Sequence, residues 1–404
     1  MSEADGTVRV TGDDGLAAAA LRRGAGVAGA AVGVLAAGAA VGVAVERLTV
    51  GRGMRRKARL ALDSSGPYGT LRGTPGTAVA EDGTELYYEV DEVRPEAAPT
   101  RRARLLGRRT APPVTVIFSH GYCLNQDSWH FQRAGLRGSV RMVFWDQRSH
   151  GRSGTGHGGE PVSIDLLGRD LKAVIDAAAP EGPLILVGHS MGGMTMMALA
   201  AHHPELIAER VIGAAFIGTS SGRIAENTYG LPVAAMNVVR RLLPGAFRLM
   251  AAQPEMIEKG RRATADLFAG VIKRYSFGSR DVDPAVARFA ERLIEGTPVD
   301  VVAAFYQAFV EHDKTGALCA FDHRPVLVLA GEKDMVTPKE HSQAIADALP
   351  DAQLVIMPGM GHLVMMEQPA LVNEHLAELI EADPSRPALE DTASGSPPPY
   401  HRRI

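Results

Sequence analysis

The stretch Leu184–Ala200, LILVGHSMGGMTMMALA, decides the fold. Its first part is a run of apolar strand formers and its second an apolar run of helix length. Between them stands a lone serine, Ser190, with Gly188 two residues before it and Gly192 two residues after. A strand that turns at once into a helix leaves little room at the corner, and glycines on either side relieve that crowding. Such a corner lifts the serine hydroxyl above a sheet and aims the positive end of the following helix at it, which favours negative charge developing there. Gly193 extends the run of small residues.

On both sides of this corner, apolar strands alternate with helix-length segments. Val114–His120, Val140–Asp146, Pro183–His189, Val211–Thr219, Pro325–Gly331 and Ala352–Gly359 are continuous apolar runs. Runs of this kind suit strands buried on both faces, as in a parallel sheet covered by helices. Upstream, Thr77–Val90 reads as two strands around Asp82-Gly83, a dipeptide favoured by tight hairpins. Ser163 is a fitting N-cap for a helix over Ile164–Ala179, which stops before Pro180. Further helices are predicted from Met191 onward, over Pro338–Leu349 and over Pro369–Ile380. The pattern predicts an α/β fold: a mostly parallel, eight-stranded sheet with helices on both faces, whose sites lie at the carboxyl ends of the strands.

Between 220 and 320 the alternation gives way to a mostly helical pattern broken at Pro232, Pro244, Gly278 and Pro284. The strand pattern then resumes as though uninterrupted, so this stretch reads as a helical insertion lying over the sheet. The expected organisation is a flexible tail (1–23), a candidate membrane span (24–45), a basic linker (46–76), a core in two parts (77–219 and 321–382) around the insertion, and a Pro/Ser-rich disordered tail (383–404). Arg94–Pro113 reads as a solvated basic loop.

Composition narrows the function. With 404 residues and a formal net charge of −3, the chain can bury a large core and carries no global basic field for nucleic acid. Its two cysteines, Cys123 and Cys319, are no disulfide framework. His202 and His203 lack the HExxH spacing and no CxxC occurs, so neither metal nor cofactor is expected. Gly24–Val45 is uncharged and long enough to cross a bilayer as a helix, yet it is mostly Ala and Gly. Arg47, Arg52, Arg55, Arg56, Lys57 and Arg59 follow it directly, which would place the body of the protein on the cytoplasmic side. A cleaved signal peptide and an Ala-rich surface helix or leader in a soluble cytoplasmic protein remain alternatives. Oligomeric state is not legible.

A serine hydroxyl is a poor nucleophile until a base takes its proton, so a histidine oriented by a carboxylate is required. Asp334 directly follows the Pro325–Gly331 strand and His362 directly follows the Ala352–Gly359 strand, both late in the chain and both at carboxyl-end loops. Glu332 is the rival acid. At the end of the first parallel strand, His120-Gly121-Tyr122 would supply one oxyanion donor through the Tyr122 amide, the other being the Met191 amide. His120 would order that loop, and His189, inside the elbow, would pack rather than act as base.

These motifs resemble the α/β-hydrolase family, and within it the esterase- and lipase-like branch: His120-Gly121, Gly188-His189-Ser190-Met191-Gly192-Gly193, a late Asp334 and a late His362. The resemblance runs from about Thr77 to Ala382. Asp146–Gly154, DQRSHGRSG, is similar to a turn of this family but has Ser149 where glycine is usual. The family's cap domain fits the helical insertion, which implies that substrate choice resides there. The resemblance implies a serine hydrolase for small-molecule carboxylic esters, with Ser190 as nucleophile, His362 as base and Asp334 as its orienting acid. Perhydrolysis or haloperoxidase-like chemistry, amide cleavage and carbon-carbon bond hydrolysis would use the same triad. A membrane-tethered binding protein that keeps the fold without turnover is the alternative from another class.

Overall fold

The computed structural model describes residues 68–94, 112–156, 159–226, 241, 245, 274–279 and 281–382. The expected tails 1–23 and 383–404, the candidate span 24–45, linker residues 46–67 and the middle of the expected insertion lie outside the described residues. Among the described residues no single helix is long and apolar enough to cross a membrane.

The chain opens with an antiparallel hairpin, β1 (Thr74–Val79) and β2 (Glu85–Asp91), closed at Asp82-Gly83 with Gly83 at φ 82°. Then come β3 (Thr115–Ser119), α1 (His130–Leu136), β4 (Arg141–Trp145) and α2 (Ile164–Ala178). Ser163 caps α2 as expected, its hydroxyl accepting from the Leu166 amide at 3.1 Å. The elbow segment is β5 (Leu184–His189) followed by α3 (Met191–His202), after which α4 (Pro204–Arg210) leads into β6 (Val211–Ile217). The insertion contributes α5 (Pro284–Glu295) and α6 (Val299–Val310). The chain then returns through β7 (Val326–Gly331), α7 (Lys339–Ala348), β8 (Gln353–Met357), the short α8 (Val364–Glu367) and α9 (Pro369–Glu381).

The eight strands form one sheet in the order β1-β2-β4-β3-β5-β6-β7-β8, parallel from β4 through β8 and antiparallel only at the β1-β2-β4 end. The order places β5 near the middle of the parallel part. Side chains alternate faces along each strand. Ile185 and Val187 of β5 enter the core shared with α1, α5, α8 and α9, whereas Leu184 and Leu186 enter the one shared with α2, α3, α4 and α7. Both faces being dry explains why β3, β5 and β7 read as unbroken apolar runs rather than alternating ones. Phe118 stacks on Phe144 with ring centroids 4.6 Å apart. Truncating such a side chain would cost about 3–5 kcal/mol.

Two expected boundaries shift. Residues 68–76, assigned to the linker from their Gly/Pro content, belong to the folded body: Tyr68 packs on Phe131 and Phe289, Arg72 pairs with Asp127 at 2.6 Å, and β1 begins at Thr74 rather than near 77. At the other end, the 3-10 helix Thr315–Phe321 is not part of the covering insertion. Leu318 and Phe321 are fully buried under the sheet, with Phe321 edge-on to Phe216, so burial decides what its weak local pattern leaves open.

Strand register brings all the chemistry to one edge. Ser119 lies opposite Gly188, His189 opposite Ile217, Ile217 opposite Leu329, and Gly331 opposite Met357. The loops that follow β3, β5, β6, β7 and β8 therefore leave the sheet side by side.

Candidate active site

The corner after β5 is as sharp as its glycines imply. Ser190 has φ 51° and ψ −117°, left-handed backbone that a non-glycine residue adopts only under constraint. Packing over-determines it. A Cβ on Gly192 would lie 2.1 Å from the Ser119 carbonyl oxygen, and one on Gly188 would lie 2.5 Å from the Gly193 nitrogen. The first turn of α3 is thus pressed against the end of β3, backbone on backbone.

The end of β6 is where the separate loops meet. The Ser190 amide donates to the Ile217 carbonyl at 2.9 Å, and the Thr219 hydroxyl donates to the Ser190 carbonyl at 2.6 Å. Between those two residues sits Gly218 at φ 51°, where a Cβ would stand 3.4 Å from Asp334 Oδ2 and 3.6 Å from His362 Nδ1. Ser190, Asp334 and His362, read from three distant parts of the sequence, are gathered around one three-residue turn.

His362 Nδ1 lies 2.8 Å from Asp334 Oδ2, and the Asp334 side chain is completely buried. The other carboxylate oxygen accepts the backbone amides of Val336 at 2.8 Å and Thr337 at 2.9 Å. The Thr337 hydroxyl reaches both Asp334 Oδ2 (3.0 Å) and the Gly218 carbonyl (2.8 Å). A carboxylate fixed by so many donors holds an imidazole with its proton on Nδ1 and its Nε2 free to take another. Glu332, the rival acid, is turned elsewhere and accepts the Gly359 amide at 2.9 Å.

His120, Gly121 and Tyr122 follow β3 directly. The Gln147 amide donates to His120 Nε2 at 2.9 Å, so the ring proton is on Nδ1, which donates to the Gly121 carbonyl at 2.7 Å. That bond sets the peptide plane between Gly121 and Tyr122, and with it the direction of the Tyr122 amide. Burial, with His150 alongside, pushes His120 well below the usual histidine range and keeps it neutral. Gln147 is itself held by the Thr195 hydroxyl of α3 at 2.7 Å, and its side-chain amide donates to the His120 carbonyl. The Met191 amide, at the first position of α3, belongs to the turn whose N–H groups a helix leaves unpaired. Gly121 packs against Ser190, a Cβ there standing 3.2 Å from the serine Cβ, so the loop that carries the Tyr122 amide runs beside the elbow.

His189 packs inside the elbow. It is fully buried, its Nε2 donates to the His362 carbonyl at 3.0 Å, and burial beside His362 depresses its protonation far below the ordinary value. Its ring lies 4.8 Å from that of His362 and so supports the histidine loop from below.

Four contributors escaped the sequence reading. Gln147 and Thr337 carry no motif of their own. His150 donates from Nδ1 to the Arg148 carbonyl and accepts the Cys123 amide on Nε2, steadying the loop just past Tyr122; burial pushes it down to about 4. Glu367 lies five residues beyond His362, where no role was expected. Ser149, the departure from the family turn, takes φ 65°, the left-handed backbone for which glycine is usual, and its amide donates to the Gly154 carbonyl at 2.8 Å.

Apolar side chains surround the elbow. Met191, Met194, Val301 and Phe305 pack together, with Tyr122, Ile224 and Phe309 at the margin. The Tyr122 hydroxyl donates to the Val302 carbonyl of α6 at 2.6 Å, so the covering helix is fastened to the loop after β3.

A model of the family described as the alpha/beta hydrolase family matches residues 116–375. The chain is 28% identical over 313 residues to a non-heme haloperoxidase of Rhodococcus erythropolis, a match covering 75% of this chain and 98% of that one. It is 29% identical over 273 residues to 3-oxoadipate enol-lactonase 2 of Acinetobacter baylyi, covering 66% of this chain and 87% of the relative. Among solved structures it is similar to a thermophilic esterase from Thermogutta terrifontis, with a TM-score of 0.54 and 24% identity over 76% of this chain and 97% of that one.

Proposed function

Since the chain belongs to the alpha/beta hydrolase family and is a hydrolase, we propose that it cleaves small-molecule carboxylic esters through an acyl-enzyme formed on Ser190. The observation that carries this reading is the buried His362–Asp334 hydrogen bond of 2.8 Å beside the strained Ser190 corner.

In the first half-reaction the Ser190 Oγ attacks the ester carbonyl carbon while His362 Nε2 takes the hydroxyl proton. The carbonyl oxygen becomes an oxyanion held by the Met191 and Tyr122 amides, each such donor being worth about 3–4 kcal/mol in the transition state. Collapse expels the alcohol, which leaves with the proton from His362. Water then gives its proton to His362, attacks the acyl carbon, and releases the acid as the proton returns to Ser190. Asp334 holds the imidazole in the tautomer both halves require. Neither metal nor cofactor enters this scheme. The apolar cluster of Met191, Met194, Val301 and Phe305 beside the elbow supports apolar acyl or alcohol groups of small to medium size.

Perhydrolysis is the second reading, favoured by the similarity to the haloperoxidase: hydrogen peroxide would take the place of water on the same acyl-enzyme. A p-nitrophenyl ester series of increasing acyl length, run with and without peroxide on the full chain and on Ser190→Ala, tests both. Ester turnover lost by several orders of magnitude in the variant supports the reading; equal turnover in the two proteins removes Ser190 from the chemistry. A fold kept without turnover would show as failure of Ser190 to react with a fluorophosphonate. A membrane tether through 24–45 is a separate proposal, tested by whether the full chain pellets with membranes.

A further inference from the structure

The histidine loop is held in place by its main chain. The His362 carbonyl accepts from His189, and Gly331 at the end of β7 abuts the Met360 and Gly361 carbonyls so closely that a Cβ there would fall 2.3 Å from the Gly361 oxygen. On the remaining side lies residues 276–279, a segment of the insertion. Gly278 and Gly361 face one another without side chains: a Cβ on Gly278 would be 2.7 Å from the Gly361 nitrogen, and one on Gly361 would be 2.4 Å from the Gly278 nitrogen. The Leu363 amide donates to the Ser276 carbonyl at 2.8 Å.

Two backbones brought this close turn several N–H groups toward the same place, and those groups need an acceptor. Glu367, the last residue of α8, supplies it. One carboxylate oxygen accepts the Ser279 amide at 2.6 Å. The other accepts the Gly278 amide at 3.2 Å and the Gly361 amide at 2.8 Å. A single charged side chain therefore ties the covering insertion to the residue immediately before His362.

We propose that Glu367 is a positioning residue for catalysis: its carboxylate docks residues 276–279 onto the 359–363 loop and so sets where the His362 imidazole stands relative to Ser190. This rests on the esterase reading for its kinetic consequence, although the docking itself does not. Glutamine at 367 would keep the shape but present one oxygen and one NH2 group where two acceptors are needed, leaving at least one partly buried amide facing a donor. The insertion thereby contributes to the reaction itself as well as to substrate choice, because a misplacement of about 1 Å in a catalytic group costs up to ~100-fold in rate.

The test uses the full chain with Glu367→Gln and Glu367→Asp, and three readouts. For p-nitrophenyl ester turnover, kcat is expected to fall by roughly ten- to hundredfold in Glu367→Gln while KM moves much less; Glu367→Asp should recover part of the loss. The low-field proton resonance of His362 Nδ1–H, bound to Asp334, should broaden or disappear in Glu367→Gln. Hydrogen exchange at Gly278, Ser279 and Gly361 should accelerate together. An unchanged kcat and an unchanged resonance in a folded Glu367→Gln overturn the proposal. If that variant does not fold, the native protein decides: exchange at these three amides as fast as in exposed loops overturns it, and joint protection supports it. Were the native chain to show neither ester turnover nor fluorophosphonate labelling, the esterase reading would fall, while the resonance and exchange data would still judge the docking.

Discussion

Asp334 and His362 share a hydrogen bond of 2.8 Å in which the carboxylate is wholly buried and the imidazole nearly so. The second carboxylate oxygen is already saturated by the Val336 and Thr337 amides, so Oδ2 has His362 as its principal partner. Direction is built into this pair. An acid held by donors on one side can only receive a proton donor on the other.

Asp334→Asn should therefore do more than weaken the pair. The Asn oxygen would stay with the two amides and its NH2 would face His362 Nδ1, forcing the ring proton onto Nε2, where it blocks proton transfer from Ser190. Ester kcat is expected to fall by about three to four powers of ten with little change in thermal midpoint. A loss below about tenfold would show that the carboxylate does not set the tautomer.

Thr337→Val separates two jobs of one hydroxyl, which reaches both Asp334 Oδ2 and the Gly218 carbonyl. We expect stability to drop by about 1–2 kcal/mol as the Gly218 carbonyl loses its donor, and kcat to drop by roughly tenfold as Asp334 is loosened. Urea unfolding and turnover measured on the same protein resolve the two. Lower stability at unchanged kcat would confine Thr337 to holding the turn.

Tyr122→Phe leaves the backbone amide in place and deletes the hydroxyl, with its link to the Val302 carbonyl and its hydrogen bond with the Cys123 side chain. Kinetic loss should appear mainly in KM, by less than about tenfold, because the fastening of α6 and not the oxyanion donor is removed. A collapse of kcat instead would mean that the hydroxyl also aims the amide.

Gly192→Ala places a methyl group 2.1 Å from the Ser119 carbonyl oxygen. No rotation relieves a clash between Cβ and backbone, so the elbow must open and we expect a cost of about 3 kcal/mol or more, with loss of fluorophosphonate labelling. Gly316→Ala, where nothing lies within 4 Å, is the matched control and should be tolerated.

Acid should destabilise the fold. Burial holds His150 at about 4 and pushes His120 and His189 well below the ordinary histidine value, so all three stay neutral in the folded protein. In the unfolded chain each binds a proton below about pH 6.5, so stability falls as pH drops through that value, by up to ~1.4 kcal/mol per pH unit for each histidine. Asp146 opposes them. Burial pushes it up to about 6, so between its unfolded value and 6 the folded state holds the extra proton and gains as pH falls. Burial also lowers His130, His312 and His341 and raises Asp170, so six histidines stand against two aspartates and leave a net loss, and the urea midpoint should be lower at about pH 5 than at about pH 7. An equal midpoint would contradict neutral burial of the histidines.

Much of this molecule was legible in one dimension. The glycines around Ser190 announce a strand-to-helix corner because only small residues fit where two backbones touch, and the apolar runs announce a covered parallel sheet because both faces of each strand are dry. Asp334 and His362 could be named from their places just past strands, since strand ends in such a sheet share an edge. The rest had no local signal. Thr315–Phe321 reads as the tail of the insertion until Phe321 is seen against Phe216, and residues 68–76 read as linker until Tyr68 is seen against Phe289. Gln147, His150, Thr337 and Glu367 matter only through partners far away in sequence or through amides that any residue would carry. Sequence by itself determined which side chains carry the groups a triad needs and where most of the strands and helices lie, because those follow from residue type and spacing. Tertiary structure alone decided which tautomer His120, His150, His189 and His362 keep and which loops hold one another, because those depend on hydrogen-bond directions that exist only once the chain has folded.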